Sequence, residues 1–381
     1  MSQGAALTQD EAFARIRLLR SPNVGPVTYR QLLARFGTAG AALDALPDLA
    51  GRAGKPYRAV SEQRVQDEIA AVRKSGARYL FHDSDDYSPL LAAIESAPPI
   101  LTVRGDPALA FRPCVAIVGA RNASAGAVKL ARDFAHGLAA AGFVVVSGLA
   151  RGIDGAAHEG ALTADSGGDG GGDGGGATIG VIASGIDIAY PPEHGRLQDR
   201  IAGEGLLIAE QPPGTEPFAR HFPARNRIIA GLAAGTLVVE AAPRSGSLIT
   251  ARLAGEMGRE VMAVPGSPLD ARSHGCNQII RDGAVLVQSP DDVVELLSGF
   301  DGVPRSVVRE ADPVAEQIAA QVTSDEPAAT GIADLLTTAP IAVDELIRQS
   351  GASASAVQLA LLELEIAGRL VRHAGGRVSL G

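Results

Sequence analysis

Six arginines stand where turns of this chain lead into helices: Arg121, Arg151, Arg220, Arg225, Arg227 and Arg244. Gly119 and Ala120 precede the first of them. Arg151 lies within Ser147-Gly148-Leu149-Ala150-Arg151-Gly152, and the next pair within Pro223-Ala224-Arg225-Asn226-Arg227. Arg244 leads into Ser245-Gly246-Ser247. Glycine lets a ligand approach the backbone, hydroxyls and helix N-terminal amides donate hydrogen bonds, and guanidinium forks fit phosphate. A single turn of this kind is common. Four on one edge make a cradle for a polyanion or a nucleotide. On that reasoning the candidate binding residues are Gly119, Arg121, Ser147, Gly148, Arg151, Gly152, Arg225, Asn226, Arg227, Ser245, Gly246 and Ser247.

Other chemistries lack their residues. The first turn reads G-A-R-N-A-S rather than G-x-G-x-x-G, so dinucleotide binding is not expected. No P-loop is present, and the only lysines are Lys55, Lys74 and Lys129. Cys114 and Cys276 are too few for a disulfide framework and have no zinc spacing. Asp154 and His158, four apart with Glu159 beside them, admit two readings. They are metal ligands or an acid/base pair, or else a first-turn Asp favoured by the helix dipole and a packed His. Glu240 is read as structural, orienting Arg244 or a neighbouring arginine. No catalytic residue, metal or cofactor is expected.

These turns need a scaffold. Apolar runs at 115–118, 143–146, 178–183, 206–209, 236–240 and 261–264 alternate with helical segments, and Ala127, Ala131, Phe134, Ala135 and Leu138 form one helix stripe. Such alternation predicts an α/β fold, an extended Rossmann-like, doubly wound, mostly parallel sheet covered on both faces. In such a sheet ligands bind beyond the carboxyl ends of the strands, where the four turns fall. Residues 61–298 are assigned to this domain, with short strands also at 78–82 and 100–104. Its glycine-rich stretch 164–177 is expected to be a flexible surface loop. Residues 1–60 read as an N-terminal helical domain with a Gly-Pro turn. That turn is either a plain helical cap or a helix-hairpin-helix element whose amides near Val24 and Gly25 accept a phosphate. Residues 299–313 read as a linker, and 314–381 as a winged helix of three helices and a hairpin around Ala374-Gly375-Gly376. Its third helix carries Glu363 and Glu365 but no basic residue before Arg369, which fits packing or protein contact at least as well as a DNA groove.

The formal net charge of −9 argues mildly against nucleic acid, although a local basic groove matters more than a total. No apolar run has membrane-spanning length and the N-terminus has no signal core, so the chain is expected to be cytoplasmic.

Several segments resemble the DNA-processing protein A family (DprA, also called Smf). They are VAIVGAR (115–121), SGLARGID (147–154), SGIDIAYPPEH (184–194), EQPPGTEPFARHFPARNRIIAGL (210–232), VVEAAPRSGSLITA (238–251) and VPGSPLDARSHGCNQIIRDGA (264–284). The terminal regions resemble the family's sterile-alpha-motif-like and winged-helix domains. The resemblance implies a non-enzymatic protein that binds and protects incoming single-stranded DNA and loads a RecA-type recombinase in natural transformation. It also implies a homodimer through the Rossmann-like domain, and it adds Phe222 to the DNA-contacting residues. With no Trp, backbone electrostatics are expected to outweigh base stacking. The rival class is a Rossmann-like nucleotide hydrolase of the phosphoribohydrolase type. Those enzymes carry a PGGxGT-type turn and a catalytic Glu where this chain has Pro243-Arg244-Ser245-Gly246-Ser247.

Overall fold

A strand with no polar face needs cover on both sides, and the central apolar runs receive it. The computed structural model describes residues 7–164, 177–299, 329–373 and 376–381. Its strands are β1 (Arg78–Phe81), β2 (Ile100–Gly105), β3 (Cys114–Val118), β4 (Val144–Ser147), β5 (Thr178–Gly185), β6 (Leu206–Gln211), β7 (Gly235–Val238), β8 (Glu260–Ala263) and β9 (Val285–Leu286). Among the described residues these make one sheet in the order β1-β2-β6-β5-β4-β3-β7-β8-β9. Pairing is antiparallel from β1 through β2 to β6 and parallel elsewhere. The two-residue β9 was not foreseen, because so short a strand carries no periodic signal.

Two apolar layers sandwich the sheet. One holds Leu91, Ile228, Ile229, Leu232 and Ala251 against Ala116, Val146, Ile179 and Ile208. The other packs Phe134, Leu138, Ile153, Ala157 and Val293 against Val115, Ile117, Val145 and Leu237. From β3 the chain winds outward through β4, β5 and β6, then returns to lay β7 on the other flank of β3. That reversal opens a crevice at the carboxyl ends of β3 and β7, the switch point of a doubly wound sheet.

The described residues up to Asp67 and those from 329 onward form a separate compact unit. Helices Gln9–Arg20, Pro26–Phe36 and Ala39–Arg52 begin it. The third runs through Pro47; burial of Leu49 and Ala50 offsets the lost donor. Helices Ile332–Leu335, Val343–Ser350 and Ala354–Ile366, with a sheet of β10 (Ile341–Ala342), β12 (Arg377–Leu380) and β11 (Leu370–His373), form the winged helix. Its third helix is buried nearly all round. Leu359, Leu362 and Ile366 join Leu18, Leu32 and Leu46 in one core. Glu363 pairs with Arg52 at 3.3 Å and Glu365 with Arg372 at 2.8 Å, so both acids of this helix are matched inside the unit. At the Gly-Pro turn, Asn23 Nδ2 donates to the Ile366 carbonyl at 3.0 Å. Packing is what the helix does here. Most of the expected glycine-rich loop (165–176), the linker, residues 314–328 and Ala374-Gly375 lie outside the described residues.

Candidate nucleic-acid interface

The loops beyond β3, β4 and β7 and the starts of two helices enclose a cavity of about 630 Å³. Gly119 follows β3, and a Cβ there would lie 2.5 Å from Ile153 Cγ1, so glycine is needed where β3 meets the helix Ile153–Ala161. Arg121 and Asn122 follow on the rim, exposed. The Arg121 guanidinium lies 4.7 Å from the Phe222 ring centroid, and Tyr190 leans on the same ring at 5.6 Å. Arginine and two aromatic rings thus share one side of the opening.

Across the crevice, Ser245 N-caps the helix Gly246–Glu256, its Oγ accepting from the Ser247 amide at 3.4 Å and lying 2.8 Å from Ser247 Oγ. Gly246 opens that helix, exposed and with free space where a side chain would project. Arg244, just before the cap, holds a left-handed φ of 66°, costly for a residue with a Cβ, and lines the cavity exposed. Asn226 reaches the same turn, Nδ2 donating to the Gly246 carbonyl at 3.4 Å.

Arg225 is the floor. The sequence reading opens its helix at Pro223, but the helix runs His221–Leu232 and Pro223 sits in the first turn, where a missing N–H costs nothing. Arg225 therefore falls a turn inside and points at the sheet. It is 5% exposed, and its Nη1 donates to the Val181 carbonyl of β5 at 2.7 Å. A Cβ on Gly148 would collide with this guanidinium, which is why glycine stands there. Burial pulls the Arg225 pKa down to about 10, opposed by Asp154, and the group stays charged at neutral pH. Asp154, 7% exposed, lines the cavity beside it. Burial raises its pKa; Arg225, Arg121 and the amides of Ala150 and Gly148 act in the opposite sense.

Other expected residues lie elsewhere. Ser147 is fully buried, its Oγ donating to the Ile117 carbonyl at 2.6 Å, so it ties β4 to β3 rather than facing the opening. Gly152, at φ 74°, packs on the carbonyls of Ala120 and Arg121 beneath the rim. Arg151 is exposed but pairs with Glu193, and Arg227 pairs with Glu210 of β6. Neither lines the cavity, whereas Arg225 does. Arg220 stacks over the exposed Phe218 ring at 5.3 Å. Glu240 has a structural role: its carboxylate accepts from the Ser124 amide at 3.0 Å and hydroxyl at 2.7 Å, fixing the N-cap of the helix Ala125–Ala140, and its charge also acts on Arg272. His158 is packed rather than poised. Its Nδ1 meets Thr178 Oγ1 at 2.8 Å, and burial lowers its pKa to about 3. Glu159 turns outward to Arg132 at 2.5 Å. Among the described residues no group of three or more His, Cys, Asp or Glu could hold a metal.

Sequence reasoning missed Arg272, Asn122 and Thr250 in the lining. Arg272 stands in the loop after β8, paired at 3.0 Å with Asp270. The carboxyl-end rule applied to β8 would have found it.

An open α/β sheet with exposed arginines, helix-start amides and rings around its switch-point crevice defines a Rossmann-like ligand-binding domain. Residues 78–298 match the family described as DNA recombination-mediator protein A, residues 9–71 its DprA-like N-terminal HHH domain, and residues 314–376 the DprA winged helix domain. The chain belongs to the DprA/Smf family. It is 32% identical to protein Smf of Synechocystis, over 93% of this chain and 95% of that one. It is 47% identical to DNA processing protein DprA of Streptococcus pneumoniae, over 55% of this chain and 71% of that one. The X-ray structure of the Streptococcus pneumoniae DprA superposes with a TM-score of 0.60 at 36% identity, covering 76% of this chain and 98% of that one. A DprA structure from Helicobacter pylori, described for its single-stranded DNA binding mode, gives a TM-score of 0.50 at 27% identity over 58% of this chain and 95% of that one. Among the described residues no helix is long and apolar enough to cross a membrane.

Proposed function

We propose that this protein binds single-stranded DNA along the switch-point crevice, and does so without enzymatic turnover. It protects incoming DNA and loads a RecA-type recombinase in natural transformation, acting in the cytoplasm as a homodimer joined through the Rossmann-like domain. One observation carries the reading. In a chain of net charge −9, Arg121, Arg244 and Arg272 stand exposed around the open helix start at Ser245-Gly246-Ser247. Guanidinium groups and helix-start amides are the donors a phosphate chain needs. The Helicobacter pylori relative's single-stranded DNA mode supports the choice of ligand.

Gly119, Arg121, Gly148, Phe222, Asn226, Ser245, Gly246 and Ser247 then shape the path, with Arg225 beneath it. Phe222 and Tyr190 give bases a ring to stack on, worth about 1–3 kcal/mol per base, so stacking adds to the electrostatics. The buried third helix of the winged helix supports leaving duplex reading out of the function.

Fluorescence anisotropy with labelled oligo-dT, its duplex and a nucleoside monophosphate tests this. Oligo-dT should bind most tightly. If three exposed arginines each neutralise a phosphate, log Kd should change with log salt by a slope of about 2. A preference for duplex, or tighter binding of the mononucleotide with its hydrolysis, would refute the proposal, the latter in favour of the hydrolase class.

A further inference from the structure

Phe218 is the most exposed aromatic ring among the described residues, at 54%. It lies outside the cavity lining, in the loop that follows β6. A lone exposed apolar side chain is ordinary on a protein surface. Three features set this one apart. First, the ring is held in place. The Gly185 amide donates to the Thr215 carbonyl at 2.9 Å, the Gly214 amide to Asp187 Oδ1 at 2.8 Å, and the His221 amide to the Phe218 carbonyl at 2.9 Å. His221 also meets the ring edge-on, with centroids 5.4 Å apart. Second, the Arg220 guanidinium lies over the ring, 5.3 Å from its centroid. Arg220 is exposed and, among the described residues, forms no ion pair, whereas Arg151 and Arg227 on the same edge both do. Third, the same pairing recurs four residues along the chain, where Arg121 lies over Phe222 and Tyr190 leans on that ring.

The sheet order turns this repetition into a direction. Arg121 follows β3, Tyr190 follows β5 and Phe218 follows β6, and the strands run β6-β5-β4-β3 at spacings of about 4.8 Å. Rings and guanidiniums therefore lead away from the crevice along the carboxyl edge. A flat base that carries a phosphate matches both halves of each pair, and every base has a face to stack. Continuity with the crevice favours a nucleic-acid strand over a protein partner.

We infer that Phe218 is a second base-stacking position, one loop beyond the crevice. A single strand lying across the switch point continues over it, and Arg220 supplies positive charge beside the stacked base. The inference rests on the crevice being the DNA site.

The test titrates full-length wild type and Phe218→Ala by anisotropy with two labelled chains of about 16 nucleotides, oligo-dT and an abasic chain that keeps the phosphates and lacks the bases. Wild type should bind oligo-dT about tenfold more tightly than F218A, and the abasic chain within about twofold. Loss through general destabilisation would be equal on both chains. Phe218→Leu, which keeps the apolar bulk without a ring, should bind oligo-dT as weakly as F218A, and Phe218→Tyr as tightly as wild type. Wild-type affinity of F218A or F218L for oligo-dT, or an equal loss on both chains, overturns the inference. Arg121→Ala is the separate control for the crevice. If R121A binds weakly and F218A as wild type does, the crevice stands and the second position falls. If R121A binds both chains as wild type does, the crevice itself falls and the inference with it.

Discussion

Arg225→Ala should damage the fold before it damages binding. The substitution removes a charged hydrogen bond to the Val181 carbonyl, empties the space beside Gly148 and takes away the positive charge that opposes the burial-driven rise of the Asp154 pKa. A charged hydrogen bond contributes roughly 1.5–3 kcal/mol, and breaking a buried charge arrangement costs about 3–5 kcal/mol in all. For a domain of this size about 1 kcal/mol moves Tm by roughly 2–4 °C, so a fall on the order of 10 °C is expected. Arg121→Ala is the contrast: the side chain is exposed, and its ring contact with Phe222 is worth about 0.5–1 kcal/mol to the fold. Its Tm should stay within about 3 °C while oligo-dT affinity falls roughly tenfold or more. Thermal melting by circular dichroism and anisotropy on the same samples separate the two effects. If R225A melts with wild type yet loses affinity as R121A does, Arg225 is a solvent-facing phosphate clamp and the buried floor described above is wrong.

Two further outcomes follow from other contacts. His158 is neutral in the fold down to about pH 3 but titrates near 6.5 when unfolded, so the unfolded chain binds the extra proton between those values. Its contribution to stability is complete above about pH 6.5 and lost as pH falls toward 3, at most about 4–5 kcal/mol, and denaturant melts of His158→Asn should show a flatter acid limb. A chain ending at Gly299 should keep oligo-dT affinity within about tenfold while its N-terminal helices lose amide-exchange protection, because Leu359, Leu362 and Ile366 leave their core. A larger affinity loss would move the DNA site into the terminal unit.

The sheet was legible because its strands are apolar on both faces and its helices carry stripes, local patterns that need no knowledge of partners. The edge on which the turns gather was legible by the same route, since the carboxyl end of each strand fixes where its following turn must lie. What each arginine does there was not. Arg227 finds Glu210 on a strand from a different crossover, and Arg225 is aimed at Val181 because its helix starts two residues earlier than Pro223 suggested. Ser147 looks like Ser245 in sequence, yet one closes a strand and the other caps a helix. Those differences depend on direction and depth, which periodicity does not encode. Glu240 and Ser124 meet only because β7 lies beside β3, a neighbour relation set by topology.

The shared core of the terminal unit also sets a timetable for biosynthesis. Asn23 and the Ile366 carbonyl that it bonds are 343 residues apart. At roughly 5–20 residues per second, the first three helices leave the ribosome some 17–70 s before their last packing layer is made. Through that interval Leu18, Leu32 and Leu46 lack Leu359 and Leu362 as cover, while the whole nine-stranded domain is synthesised between them. Folding of this chain therefore closes from the middle outward: the sheet can complete itself alone, and the two ends join last. A nascent chain stalled after the sheet should engage chaperones through its N-terminal helices, and release them once residues 354–366 emerge.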